Sequence, residues 1–158
     1  MEEAYEISGP TDVTRRRKSA MTVASFRSDP LFPRIERAVA TILRTSKVVT
    51  PIDVLVGMHL LTAEKVQDWR RGRIPYLERV IDCNLTRLSR LLRILRFHVH
   101  DLNLVPSTTD YQRHGKGRKQ RLRFTKTGDA RLEVAYATHF IWPGKSPFHP
   151  PAVFDRHV

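Results

Sequence analysis

WRRGRIPYLERVI, residues 69–81, sets four arginines around one tryptophan, one glycine and one proline before an apolar run resumes. Gly72 and Pro75 are the punctuation. Pro75 disfavours a helical conformation at Ile74, so a helix arriving through Trp69 ends here and a new one starts near Pro75. The chain on either side of this turn sets the fold.

Upstream, the spacing predicts three helices. Thr62 is placed to cap the one that carries Val66 and Trp69 on its inner face, after a break near Leu61. Before it, Thr50 can cap, Pro51 suits a first helical position and Asp53 favours the positive end of the dipole. Ile52, Leu55, Val56 and Leu60 make its buried stripe. Earlier still, Ile35, Val39, Ile42 and Leu43 recur at helical spacing after Pro33, with Arg34, Arg37 and Arg44 facing away. Residues 1 to about 30 read as a disordered basic arm. They are polar, hold Gly9 and Pro10, and carry Arg15, Arg16, Arg17 and Lys18 without apolar periodicity. Such an arm follows a nucleic-acid backbone or is a solvated tail.

Downstream, a long helix is expected from about Pro75 to Leu102, with an interruption near Asn84. Leu85, Leu88, Leu92, Leu95, Val99 and Leu102 form one stripe, and Arg87, Arg90, Arg93 and Arg96 fan across the opposite side. A solvated face accounts for those arginines. Ile94 and Phe97 also fall near that side, however, so something is expected to cover part of it. After Pro106 the period changes to two. Leu122 and Phe124 alternate with Arg121, Arg123 and Thr125, and the glycines of HGKG (residues 114–117) supply a turn. This predicts a β-hairpin at about 107–126 packed on the helices. Thr127-Gly128-Asp129 then starts a last helix with Leu132, Ala135, Tyr136 and Phe140 on one face. The prolines at 143, 147, 150 and 151 predict a disordered tail over 143–158. The expected fold class is mainly α with a small β-hairpin (α+β) on a helix-turn-helix-like core, in a single domain over residues 31–142.

The charge is unusual for such a domain. Among 158 residues, 28 Lys and Arg face 16 Asp and Glu, for a net charge of +12, and arginine supplies 21 of the cations. Arginine grips phosphate through a planar fork where lysine is a point charge, so this bias points to a phosphate-bearing partner. Cys83 is the only cysteine, which excludes an internal disulfide and a multi-cysteine zinc site. The start, MEEAYEISGP, is acidic and polar, unlike a secretory signal, and no segment approaches the ~20 apolar residues of a membrane span. A cytoplasmic protein without a membrane partner is expected.

Leu55, Val56, Leu61, Val66, Trp69, Gly72 and Pro75 sit at spacings that resemble the helix-turn-helix of the phage Cro and repressor family. The resemblance covers residues 50–78. It implies a DNA-binding core in which Ala63, Glu64 and Gln67, near the start of the second helix, face base edges. Two features depart from the family. Leu60 stands where that turn usually has glycine, and a branched side chain is costly in a left-handed conformation. Glu64 and Asp68 put carboxylates where phosphates would lie. The chain also resembles small uncharacterised bacterial proteins that share W-x-x-G-R-x-P-Y-L-E-R and R-F-[ST]-K-[ST]-G-[DA], here residues 69–79 and 123–129. That implies one compact unit over about residues 30–142 and no particular activity.

The candidate nucleic-acid-binding residues follow from the charges. Arg113, Lys116, Arg118, Lys119, Arg121, Arg123 and Lys126 are seven cations between Tyr111 and Gly128 with no acid among them. Arg70, Arg71 and Arg73 add the turn, and Lys65 and Gln67 the preceding helix, where Gln67 can pair with adenine and Glu64 can accept from cytosine. Tyr111 and Phe124 would stack on bases if exposed, although Phe124 reads better as core.

His98, His100 and Asp101 form an H-x-H-D string. Positions two apart on a helix point in different directions, so pairing with arginines or with the helix end fits better than chelation. Likewise Glu78, Asp82 and Asp101 are expected to pair with arginines. No G-x-S-x-G, phosphate loop or paired-cysteine motif is present. No catalytic residue, metal or cofactor is assigned.

The expected function is therefore non-catalytic nucleic-acid binding, double-stranded DNA before RNA, mainly through arginine–phosphate contacts. The alternatives are a protein-interaction or homodimerisation module, motivated by Ile94, Phe97 and the FHPPAVF tail, and an RNA- or ribosome-associated protein. The first reading requires cations from separate stretches to meet on one exposed surface.

Overall fold

The structure is a computed structural model that describes residues 21–145 and Phe148. The Arg15–Lys18 run and the FHPPAVF tail, apart from Phe148, lie outside the described residues. Five α-helices are described: α1 Phe32–Thr45, α2 Pro51–Gly57, α3 Ala63–Arg70, α4 Leu85–Asp101 and α5 Ala130–Ala137. Three short strands, β1 Val48–Val49, β2 Val105–Thr108 and β3 Thr138–Ile141, form an antiparallel sheet in the order β1-β3-β2. The fold is thus mainly α with a small β part.

Local chemistry sets the helix ends. Thr50 accepts from the Asp53 amide at 3.0 Å, Thr62 from Lys65 at 3.2 Å, and Asn84 from Arg87 at 2.8 Å. Asp129 caps α5 by accepting from the amides of Arg131 and Leu132. The other ends of α2, α3 and α4 close through left-handed residues: His59 (φ 62°), Gly72 (φ 78°) and Asn103 (φ 66°). In each, the next residue's N–H reaches back five positions, as Leu60 to Leu55, Arg73 to Asp68 and Leu104 to Val99. The left-handed position between α2 and α3 is therefore His59, not Leu60. Histidine tolerates it better than a branched residue does, so the expected strain at Leu60 does not arise.

Ile35, Val39, Leu55, Leu88, Leu91 and Leu95 are buried at the centre of one apolar core. The stripe on α4 differs from the expected one at both ends of its definition. Leu85 is 61% exposed, whereas Ile94 is fully buried and belongs to the core. Phe97 is half-buried, and its cover comes from an unexpected place. Residues 21–30, read as part of the disordered arm, include a 3-10 turn at Phe26–Ser28. Phe26 is buried there, 5.5 Å from the Phe32 ring and 5.7 Å from Phe97. Arg27 pairs with Asp101 and Arg90 with Asp29 across the same seam.

The long helix expected from Pro75 begins only after Asn84. Leu77–Val80 is a 3-10 turn, because the Leu77 and Glu78 amides donate to the carbonyls of Arg123 (3.1 Å) and Phe124 (2.9 Å). The hairpin expected at 107–126 is also reduced. Among the described residues its two arms share a single ladder bridge, Gln112–Arg121, and β2 pairs instead with β3, Val105 opposite Ile141 and Thr108 opposite Thr138. Phe140 accordingly lies in the central strand rather than on a helix face. The run 113–126 offers like-charged side chains where cross-strand pairs would be needed, and facing like charges destabilise a ladder. Of the tail expected from Pro143, residues Gly144 and Lys145 are tied back by Lys47, whose Nζ donates to both carbonyls.

His98 is buried on α4, edge-on to Phe32 at 5.1 Å. Burial pushes its pKa down to about 4, against a smaller opposing pull from Asp101. The unfolded chain, with an ordinary histidine pKa of about 6.5, binds this proton first. Stability is therefore full above that value and is lost as pH falls toward 4. Between pH ~6.5 and ~5 the loss should reach about 2 kcal/mol. Urea unfolding at the two pH values measures it, and His98→Leu should abolish most of the difference.

Candidate nucleic-acid interface

Trp69, Tyr111, Phe124 and Tyr136, each at most 7% exposed, form one aromatic cluster under the quoted turn. Their ring centres lie 5.0 Å (Trp69–Phe124), 5.2 Å (Tyr111–Phe124) and 5.1 Å (Phe124–Tyr136, stacked) apart. Neither Tyr111 nor Phe124 is exposed enough to stack on a base, so the condition set for stacking is not met. Buried aromatic polar atoms need partners, and each has one. The Trp69 indole N–H donates to the Arg123 carbonyl at 2.7 Å, and the Tyr136 hydroxyl to Glu78 at 2.9 Å. Among the described residues Glu78 is thus bonded to a tyrosine rather than to an arginine. The Tyr111 hydroxyl lies 2.6 Å from His139 Nε2. Burial pushes the Tyr111 hydroxyl up to about 12, opposed by the Arg70 charge above it. Burial, then Glu78, pushes Tyr136 up as well.

This cluster joins the two motif segments, residues 69–79 and 123–129. Glu133 of α5 holds the second from behind. Its carboxylate accepts from the amides of Phe124 (3.1 Å) and Thr125 (2.7 Å) and from the Thr125 hydroxyl (2.6 Å), while Gly128 donates to that hydroxyl. Nothing in the local pattern marks Glu133. An acid in the first turn of a helix reads as a dipole partner, and its target lies eight residues back.

The cations sit on the outside of this frame. The Arg70 guanidinium lies 4.8 Å from the Tyr111 ring centre, and the Arg70 carbonyl accepts from the His114 amide at 2.7 Å. Arg113 crosses the same junction. Its side chain runs over Gly72, and one guanidinium nitrogen donates to the carbonyls of Lys116 and Arg118, both at 3.0 Å. The basic turn 70–73 and the basic loop 113–121 therefore meet, although some forty residues separate them along the chain.

Their side chains do different things. Arg71, Lys116, Arg118, Lys119 and Lys126 are exposed and carry no acidic partner among the described residues. Arg73 pairs with Asp68 and Arg121 with Asp110, each at a loose 3.4 Å and well exposed. Such pairs are worth about 0–1 kcal/mol and yield readily to a phosphate. Arg123 donates to the Lys126 carbonyl at 2.8 Å, closing the loop that Glu133 holds. Arg113 is half-buried with donors engaged inside the loop, so it shapes the surface more than it offers charge. Lys65 and Gln67 are exposed on α3, within about one and a half turns of Arg70. No described contact ties either one to the loop.

Of the H-x-H-D string, His98 is buried, His100 is exposed and Asp101 pairs with Arg27 as expected. Among the described residues no group of His, Cys, Asp or Glu is placed to hold a metal ion, and no helix is long and apolar enough to cross a membrane.

No protein-family model matches this chain, and no curated protein or solved structure matches it significantly.

Gly72 is the hinge of the junction. A Cβ there would stand 2.7 Å from Arg113 Cδ, on a backbone already at φ 78°. Gly72→Ala should cost about 1–2 kcal/mol through left-handed strain and displace Arg113 from the loop carbonyls. The expected result is a modestly lower thermal midpoint together with altered amide shifts across residues 113–118 in NMR spectra. Shifts confined to the neighbours of Gly72 would contradict that role for Arg113.

Proposed function

We propose that this protein binds nucleic acid without catalysis, double-stranded DNA in preference to RNA, and does so mainly by phosphate contact. The observation that carries the reading is the junction of two cationic stretches: His114 N–H on the Arg70 carbonyl, and Arg113 over Gly72. It ties the turn that carries Arg71 to the loop that carries the 116–119 cations, and the ion pairs described on these stretches, Arg73–Asp68 and Arg121–Asp110, are loose. Cations on a backbone that is already held lose less conformational freedom on meeting a phosphate backbone than cations on a free chain do. The buried aromatic cluster supplies the frame rather than a base-stacking platform, which favours duplex phosphates over splayed single strands. Base reading by Gln67 is subsidiary, because Glu64 stands beside it on the exposed face of α3.

The test is a labelled duplex titrated at two salt concentrations, with single-stranded DNA and structured RNA as competitors. With about five phosphate contacts, affinity should fall about 500-fold between ~50 and ~200 mM salt. Absence of binding at low salt, or binding indifferent to salt, rejects the reading. Stronger competition by RNA moves the assignment to the RNA alternative. Homodimerisation through α4 loses its motive, since Ile94 is buried and Phe97 lies under Phe26.

A further inference from the structure

On a different face, a groove of about 850 Å³ runs between α4 and α5 and ends against β2 and β3. Its floor is apolar and largely core: Leu92, Leu95, Leu104 and Phe140. Leu132 and Ala135 form one wall, and Val134, 51% exposed, stands at its lip. Arg93, Arg96 and Arg131 line it together with His100 and Asp129. Among the described residues Asp129 is the sole acid lining it, and its carboxylate already caps α5.

We infer that this groove docks an acidic amphipathic helix of a partner protein, with apolar side chains on the floor and carboxylates against Arg93, Arg96 and Arg131. Charge complementarity selects that occupant. A second copy presenting the same groove would bring arginine to arginine. A duplex would leave the leucine floor uncovered beneath its phosphates, forgoing the gain from burying it. An added strand is disfavoured because Pro106 removes a donor from the outer strand β2. A third helix laid between two helices, by contrast, is an ordinary packing and a common recognition mode. This inference is independent of the nucleic-acid reading.

The probe is a fluorescein-labelled peptide of about 16 residues, long enough to form a helix on binding, with leucines at helical spacing and glutamates elsewhere. A scrambled peptide of the same composition is the control. The periodic peptide should bind saturably, and its amide-shift footprint on the full chain should fall on α4, α5 and β2. Arg93→Glu/Arg96→Glu should weaken it at least about tenfold, as should Val134→Asp, which alters an exposed position and spares the core. Both variants should bind duplex as the parent does. Equal binding of the scrambled peptide, a footprint elsewhere or no saturable binding would overturn the inference. Loss of duplex affinity in Arg93→Glu/Arg96→Glu would overturn it too, by assigning the face to nucleic acid.

Discussion

Replacing Arg118, Lys119 and Arg121 together with glutamine should lower affinity for a duplex about 100-fold at ~0.1 M salt. Each phosphate contact releases condensed counterions, so the logarithmic salt slope should also become shallower by about two to three. These side chains are exposed, and among the described residues their only acidic contact is the loose one from Arg121 to Asp110. The variant should therefore unfold as the parent does, which separates lost binding from lost structure. Arg113→Gln makes the contrast. It removes the donors to the Lys116 and Arg118 carbonyls, so it should weaken binding by loosening the loop, with a smaller change in slope per charge removed. An unchanged slope in the triple variant would show that the loop does not touch phosphate, and the proposed interface would have to be abandoned.

Trp69→Ala should destabilise the fold by about 4 kcal/mol, the usual cost of emptying a fully buried large aromatic site. The indole packs against both Tyr111 and Phe124 and donates to the Arg123 carbonyl. That carbonyl also accepts from Leu77, so losing the indole does not orphan it, and the cavity dominates the cost. Trp69→Phe should be milder, because the ring is kept and one hydrogen bond worth about 1 kcal/mol is lost. Calorimetry or urea unfolding reads both. Equal midpoints for Trp69→Ala and the parent would mean that the cluster does not carry the frame beneath the arginines.

Much of this architecture was legible in the residues because its causes are local. Thr50, Thr62 and Asp129 satisfy amides two or three positions ahead, so those helix starts could be read from a few neighbouring letters, whereas Asn84 read as an interruption and proved to be the cap of α4. The stripes of α1 and the middle of α4 followed from spacing alone, as did Gly72 at the end of α3. The near misses were also local. The left-handed residue after α2 proved to be His59, one position before the leucine to which the family spacing pointed.

Long-range choices were not legible. Residues 75–84 have helix-forming letters, yet their first amides go to carbonyls at 123 and 124. The 107–126 segment alternates like a hairpin, yet β2 found its partner in β3. Glu133 reads as a first-turn acid and becomes the clamp on Thr125. Arg113 reads as one cation among seven and becomes the brace of the loop.

Composition and spacing by themselves determined that the chain is arginine-rich, that α2 and α3 start behind Thr50 and Thr62, and that Trp69 turns inward. The tertiary structure decided which strands pair, which arginines face water, and that two basic stretches share a surface. The division follows range. A cap or an apolar stripe is fixed by atoms a few residues apart, whereas a backbone amide or a guanidinium can take any partner the folded chain brings within hydrogen-bonding reach.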